Sequence, residues 1–176
     1  MPAARLEFGV ENVADEGTRA SLGPQDEVSI RFTANPGEAL RPLQKIASGG
    51  ELARVRLALE PALEVQDRVD LLLFDEVDSG IGGMVAQAVG ERLRRLARHR
   101  QVVCITHLPM IAALASHHIG VTKAGSAGRT VASFAVLRGE ERIAELARML
   151  AGDRASRTTL RQARELLEAA ETQATP

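Results

Sequence analysis

The densest chemistry in the chain lies at residues 72–78, Leu-Leu-Phe-Asp-Glu-Val-Asp, where an apolar run ends in two adjacent carboxylates and, two residues later, a third. Residues 71–74 show no polar alternation, the pattern of a parallel strand covered on both faces, so Asp75 and Glu76 fall where that strand emerges. Two acids at such an edge repel one another and resist desolvation unless a cation, a water to be activated or a hydrogen-bond donor stands beside them. Divalent-metal and nucleotide chemistry meets that need.

A second candidate precedes it. Ser48-Gly49-Gly50-Glu51 opens a segment with Leu52, Val55, Leu57, Ala58 and Leu59 at helical spacing, so a helix begins at Ser48 and runs to about Leu63. Ser48 and Glu51 fit a capping box, the plain reading of this start. Against it, each glycine in a first turn costs up to ~1 kcal/mol relative to alanine. Bare amides at a helix N-terminus, with a serine hydroxyl beside them, suit an anion and above all a phosphate. A third candidate, Thr106-His107, ends the apolar run 102–105. In a doubly wound sheet, groups at the carboxyl ends of neighbouring strands face a shared crevice, which would bring His107 to Asp75 and Glu76.

The remaining elements must hold these groups. Alternation at residues 5–10 and 27–34 predicts two antiparallel strands, followed by a loop through Asn35, Pro36 and Gly37 to residue 47. A glycine-rich loop after Asp78 leads into a helix over 84–97, whose arginines (Arg92, Arg94, Arg95, Arg98, Arg100) suit a solvated helix end, with DNA contact the secondary reading. A short helix follows Pro109; strands at 118–123 and 130–137 form an edge hairpin; helices at 140–150 and from Asp153 onward close the chain.

The totals agree with one globular domain spanning 1–176. Hydrophobic residues make up 45% and charged residues 26%, with a net charge of -1, so neither disorder nor a generally basic surface is indicated. Phe8, Phe32, Phe74 and Phe134 are the only aromatics, too few to stack single-stranded bases. Cys104 stands alone in an apolar run and reads as a buried thiol. No apolar run approaches the ~20 residues of a membrane span, and the first residues lack the apolar core of a signal peptide, so a soluble intracellular protein is expected.

Taken in order, residues 48–51, residues 71–76 with Asp78, and Thr106-His107 resemble the C-terminal half of an ABC-type ATPase head. Residues 47–51 resemble the signature motif in its SMC-like form, with Glu51 where transporters usually carry Gln. Asp75-Glu76 is similar to Walker B, residues 77–80 to the D-loop, and His107 to the switch histidine. Asn-Pro-Gly-Glu at 35–38, Ser-Gly-Gly-Glu-Leu-Ala-Arg at 48–54, Phe-Asp-Glu-Val-Asp-Ser-Gly-Ile-Gly-Gly at 74–83 and the stretch 143–152 resemble the SMC-like ATPases of bacterial double-strand-break repair.

The resemblance implies a P-loop NTPase-like α/β fold: a largely parallel sheet flanked by helices, with antiparallel edge strands. It implies ATP and Mg2+ as ligands, sandwiched between two heads, with Ser48, Gly49 and Gly50 of one head, beside Glu51, touching the γ-phosphate held by the other. Asp75 would hold Mg2+, Glu76 polarise the attacking water, His107 steady water and phosphate, and Asp78 sit at the dimer seam. The implied partners are the N-terminal Walker A half of the same protein, a second head, and DNA through the full-length protein, in the cytoplasm on the nucleoid and with no membrane. The chain contains no G-x-x-x-x-G-K-[ST] loop; Gly125-x-x-Gly128-Arg129-Thr130 has the wrong spacing and no lysine. Alone, it is expected not to turn over ATP. A nucleotide-sensing docking module without catalysis and a transporter ATPase are the alternatives.

Overall fold

Strands and helices follow the apolar periodicities closely. The computed structural model describes residues 4–12, 26–33, 37–45, 48–63, 69–126, 129–153 and 155–172. The chain divides into two compact units, residues 1–52 and 53–176.

In the first unit, β1 (Arg5–Asn12) and β2 (Asp26–Thr33) pair antiparallel with Phe8 opposite Ile30, as the alternation predicts. A two-residue strand, β3 (Arg41–Pro42), adds to β2, and a single 3-10 turn (Leu43–Lys45) follows where a loop is expected. The expected Asn35-Pro36 break lies outside the described residues. Helix α1 (Gly49–Leu63) starts at the end of this unit and runs into the second.

The second unit is built on β4 (Leu71–Phe74) and β5 (Gln101–Cys104), paired in parallel with Leu72 beside Val102 and Phe74 beside Cys104. Helix α2 (Gly83–Leu96) forms the crossover between them and buries Ala86, Val89, Gly90, Leu93 and Leu96, one face at helical spacing. That face packs with Leu57 of α1 and with Leu72 and Phe74, each about 2% exposed. Burying side chains of this size contributes about 1.5–3 kcal/mol apiece. Gly90 is required by contact: a Cβ there would lie 2.6 Å from Leu114 Cδ1 and 3.4 Å from Ile111 Cα, so glycine lets α3 (Pro109–Ala113) lie close against α2.

Beyond α3, β6 (His118–Ser126) and β7 (Arg129–Leu137) pair as the expected antiparallel hairpin, but as a two-stranded sheet of their own and not at the edge of the β4–β5 sheet; its tip at 127–128 lies outside the described residues. Helices α4 (Gly139–Ala151) and α5 (Arg157–Thr172) meet through small buried residues, Ala147 and Ala163, in a second core that includes Ala112 and Ala113. Arg142 of α4 donates to the carbonyls of Ala112, Ala113 and Ala115 at 3.2, 3.1 and 2.6 Å, satisfying the end of α3. The last helix starts at Arg157, not at Asp153. Ser156 and Thr159 supply the reason: Ser156 Oγ accepts from Thr159 N (3.2 Å) while Thr159 Oγ1 accepts from Ser156 N (3.1 Å), a reciprocal cap.

One expectation is met on one side only. Leu72 and Phe74 are buried, but Leu71 (51% exposed), Leu73 (63%), Val103 (42%) and Ile105 (56%) leave the opposite face of β4 and β5 bare. The apolar run forecasts cover on both faces, and among the described residues one face is covered.

Candidate functional site

The parallel ladder sets the site. It runs from Asp70 O, which accepts from Gln101 N at 2.9 Å, to Phe74 O, which accepts from Ile105 N at 2.9 Å. Both strands therefore release their chains at one level, Asp75-Glu76 from β4 and Thr106-His107 from β5. The two strand ends thus lie side by side, the placement that the sequence predicts for a parallel pair.

The turn after β4 sorts the three carboxylates. Glu76 has φ 56, in the left-handed region that side-chain-bearing residues rarely occupy, and its carbonyl accepts from Ser79 N at 2.9 Å. A backbone held in this region costs about 1–3 kcal/mol and concentrates at functional sites. Its effect is directional: Asp75 and Glu76 stay exposed, while Val77 and Asp78 turn inward, at 0% and 3% exposure. Gly80, also left-handed at φ 68, ends the turn ahead of α2.

Asp78 organises the β5 side. Its Oδ2 accepts from Thr106 Oγ1 at 2.5 Å and from His107 N at 2.9 Å, and lies 3.0 Å from His107 Nδ1. Thr106 Oγ1 in turn accepts from Leu108 N at 3.0 Å. The His107 side chain is 71% exposed, so the ring is anchored at Nδ1 and open elsewhere. A carboxylate at Nδ1 favours the tautomer with its proton there, leaving Nε2 free to bind an outside group. Cys104 lies behind the carboxylates, and its thiol is pushed up to about 12, first by burial and then by the negative charges of Asp78 and Asp75.

Among the described residues, no group of three or more His, Cys, Asp or Glu is placed to hold a metal. One exposed carboxylate at a strand end, Asp75, suits Mg2+, which takes one or two protein carboxylates and fills its shell with water and phosphate oxygens; it does not suit a metal needing a protein cage.

In the 1–52 unit, Ser48 precedes the first turn of α1, its carbonyl accepting from Leu52 N at 3.2 Å; Gly49 is exposed, Gly50 buried, and Ser48 and Glu51 half-buried. The structure thus brings Asp75, Glu76, Asp78 and His107 to one edge, with Ser48, Gly49, Gly50 and Glu51 at the start of α1. Two partners escape sequence reading. Thr106 is named there only beside His107, and Arg54, whose Nη1 donates to Val77 O (3.2 Å) and Ser79 O (2.8 Å), only as the last residue of the 48–54 stretch, with no partner assigned. Of the arginines near the end of α2, Arg94 donates to Ala170 O at 2.7 Å, and the buried Arg100 side chain faces Glu60 at 3.8 Å. Arg95 and Arg98 are exposed.

No protein-family model matches the chain. It is 55% identical over 171 residues to DNA repair protein RecN of Treponema pallidum, an alignment covering 96% of this chain and 30% of the relative. The RecN proteins of Deinococcus radiodurans (50% over 167 residues) and Streptomyces coelicolor (46% over 178) align over 95% and 97% of this chain and 28% and 31% of their own. The chain therefore spans about a third of the length of these relatives. Among solved structures, an SMC head domain with coiled coil and joint from Pyrococcus yayanosii aligns with a TM-score of 0.56 at 21% identity, over 97% of this chain and 26% of that one. A chain from structural work on ATP-driven dimerization and DNA-stimulated activation of SMC ATPases gives 0.53 at 21%, over 85% and 83%. The fold is that of an SMC ATPase head, as the motif order implies.

Proposed function

The chain corresponds to the C-terminal segment of RecN-type proteins, and on that premise we propose that it supplies half of an ATP-hydrolysing site used in DNA repair. One observation carries the reading: Asp75 and Glu76 leave β4 beside His107 at the end of β5, with His107 held through Nδ1 by Asp78. That is the equipment for placing a water in line with a terminal phosphate, where positioning and charge stabilisation do most of the work.

In this reading Glu76 accepts a hydrogen bond from the attacking water and sharpens its nucleophilicity. His107, oriented by Asp78, offers its free Nε2 edge to the water and the γ-phosphate. Ser48 with the Gly49 and Gly50 amides contacts the γ-phosphate across a dimer of heads, and Glu51 closes the first turn of that helix. Asp75 holds Mg2+, which when bound with ATP neutralises charge on the phosphate oxygens. Because the Asp78 carboxylate faces its own chain, the exposed Ser79 and Gly80 form the outer surface of the loop at the seam. The phosphate-cradling Walker A loop comes from the N-terminal part of the same protein, so the chain alone is inactive. The bare face of Leu71, Leu73, Val103 and Ile105 supports such a covering lobe. Residues 1–176 make up the C-terminal lobe of that head. DNA is engaged by the complete protein, with Arg95 and Arg98 as the exposed cations of the α2 end. No described helix is long and apolar enough to cross a membrane.

The test is Glu76→Gln in the full-length protein. Hydrolysis is expected to fall about 100-fold or more while ATP-dependent head association persists. Near-normal turnover would remove Glu76 from its role.

A further inference from the structure

Arg54 lies on α1 one turn beyond Gly50, and nothing in the motif pattern gives it a task. Its Nη1 nevertheless sits between two backbone carbonyls of the turn that carries Asp78, 2.8 Å from Ser79 O and 3.2 Å from Val77 O. These are the residues on either side of Asp78. Asp78 Oδ2 then reaches Thr106 Oγ1, His107 N and His107 Nδ1. An unbroken series of polar contacts thus leads from α1, through the 77–79 turn, to the histidine.

A guanidinium placed only to cap a turn would keep its other donors in water. Arg54 Nε is instead enclosed, with no acceptor among the described residues, a cost of the kind tolerated where the carbonyl contacts matter. The turn benefits from an external holder because Glu76, one residue before Val77, occupies the strained left-handed region at φ 56, with one local bond, from Ser79 N to its carbonyl, to keep it there. A lysine would offer a flexible point charge where arginine offers a planar, rigid donor set.

We propose that Arg54 is a positioning residue for the candidate site: by clamping the carbonyls of Val77 and Ser79 it fixes Asp78, and through Asp78 it fixes the His107 backbone and ring. This rests on the assignment of His107 given above, but its structural half can be tested without any ATPase assay. Amide hydrogen exchange is measured by NMR on the 176-residue chain for wild type, Arg54→Met and Arg54→Lys. The His107 amide, bonded to Asp78, and the Ser79 amide are expected to exchange about tenfold faster in Arg54→Met and by a smaller factor in Arg54→Lys, while Leu72 and Val102 keep their protection. Unchanged exchange at His107, or a uniform loss of protection across β4 and β5, overturns the proposal; if Arg54→Met does not fold, Arg54→Lys decides by the same criterion. In the full-length protein, Arg54→Lys should lower kcat with KM little changed. Selective exchange in the chain without any ATPase activity in the wild-type protein would retain the clamp and reject the catalytic reading.

Discussion

Asp78 acts in two directions at once. On one side it gathers Thr106 and His107; on the other its charge, after burial and with that of Asp75, keeps the Cys104 thiol protonated. The thiol pKa stands at about 12 against an ordinary 9.0, so above pH 9 the unfolded chain loses a proton that the folded chain keeps. The folded state binds more protons in that window, and stability falls as pH rises. Urea denaturation on either side of pH 9 should show this decline in wild type and a weaker one in Cys104→Ala; equal slopes would place the thiol in an ordinary environment. At neutral pH Cys104 should resist alkylation until the chain unfolds, because the thiolate is the reactive form. How much of this was readable in advance differs by residue. The acids and His107 stand out in the sequence because they end apolar runs. The inward turn of Asp78 does not, because it follows from a left-handed Glu76 that no residue type announces. Arg54 was unreadable for a related reason: its partners are carbonyls 23 and 25 residues away, and backbone atoms leave no trace in a sequence.

At the scale of elements, β4 separates two functions by residue parity. Phe74 and Leu72 face the core with α2, so Phe74→Ala should cost about 3–5 kcal/mol in urea or thermal unfolding of the chain. Leu73, 63% exposed on the other face, should tolerate serine with little loss of stability, yet weaken association with the N-terminal part of the protein. A Leu73→Ser chain as unstable as Phe74→Ala would mean that the bare face is covered from within. The run at 71–74 spoke for burial on both faces because a sequence reports the needs of a strand, not who meets them. Helix α2 was legible almost to the residue, since its five buried positions repeat at helical spacing. The start of α5 was not: Asp153 and Ser156 are both good caps, and only the reciprocal bonds with Thr159 choose between them.

At the scale of the molecule, the order of motifs and the SMC-head fold agree, while the chain spans about a third of its RecN relatives. The ends of β4 and β5 carry Asp75, Glu76 and an Asp78-anchored His107, the given sequence has no glycine-lysine phosphate loop, and Leu71, Leu73, Val103 and Ile105 are exposed on one sheet face. Both features accord with the proposal that the chain supplies one half of a shared site. The most direct measurement is phosphate release from ATP and Mg2+ by this chain, by the folded N-terminal Walker A part of the same protein, and by the two mixed. The account predicts silence from each alone and turnover from the mixture, abolished by Glu76→Gln. Turnover by this chain alone, or silence from a mixture shown to have associated and bound ATP, would contradict it.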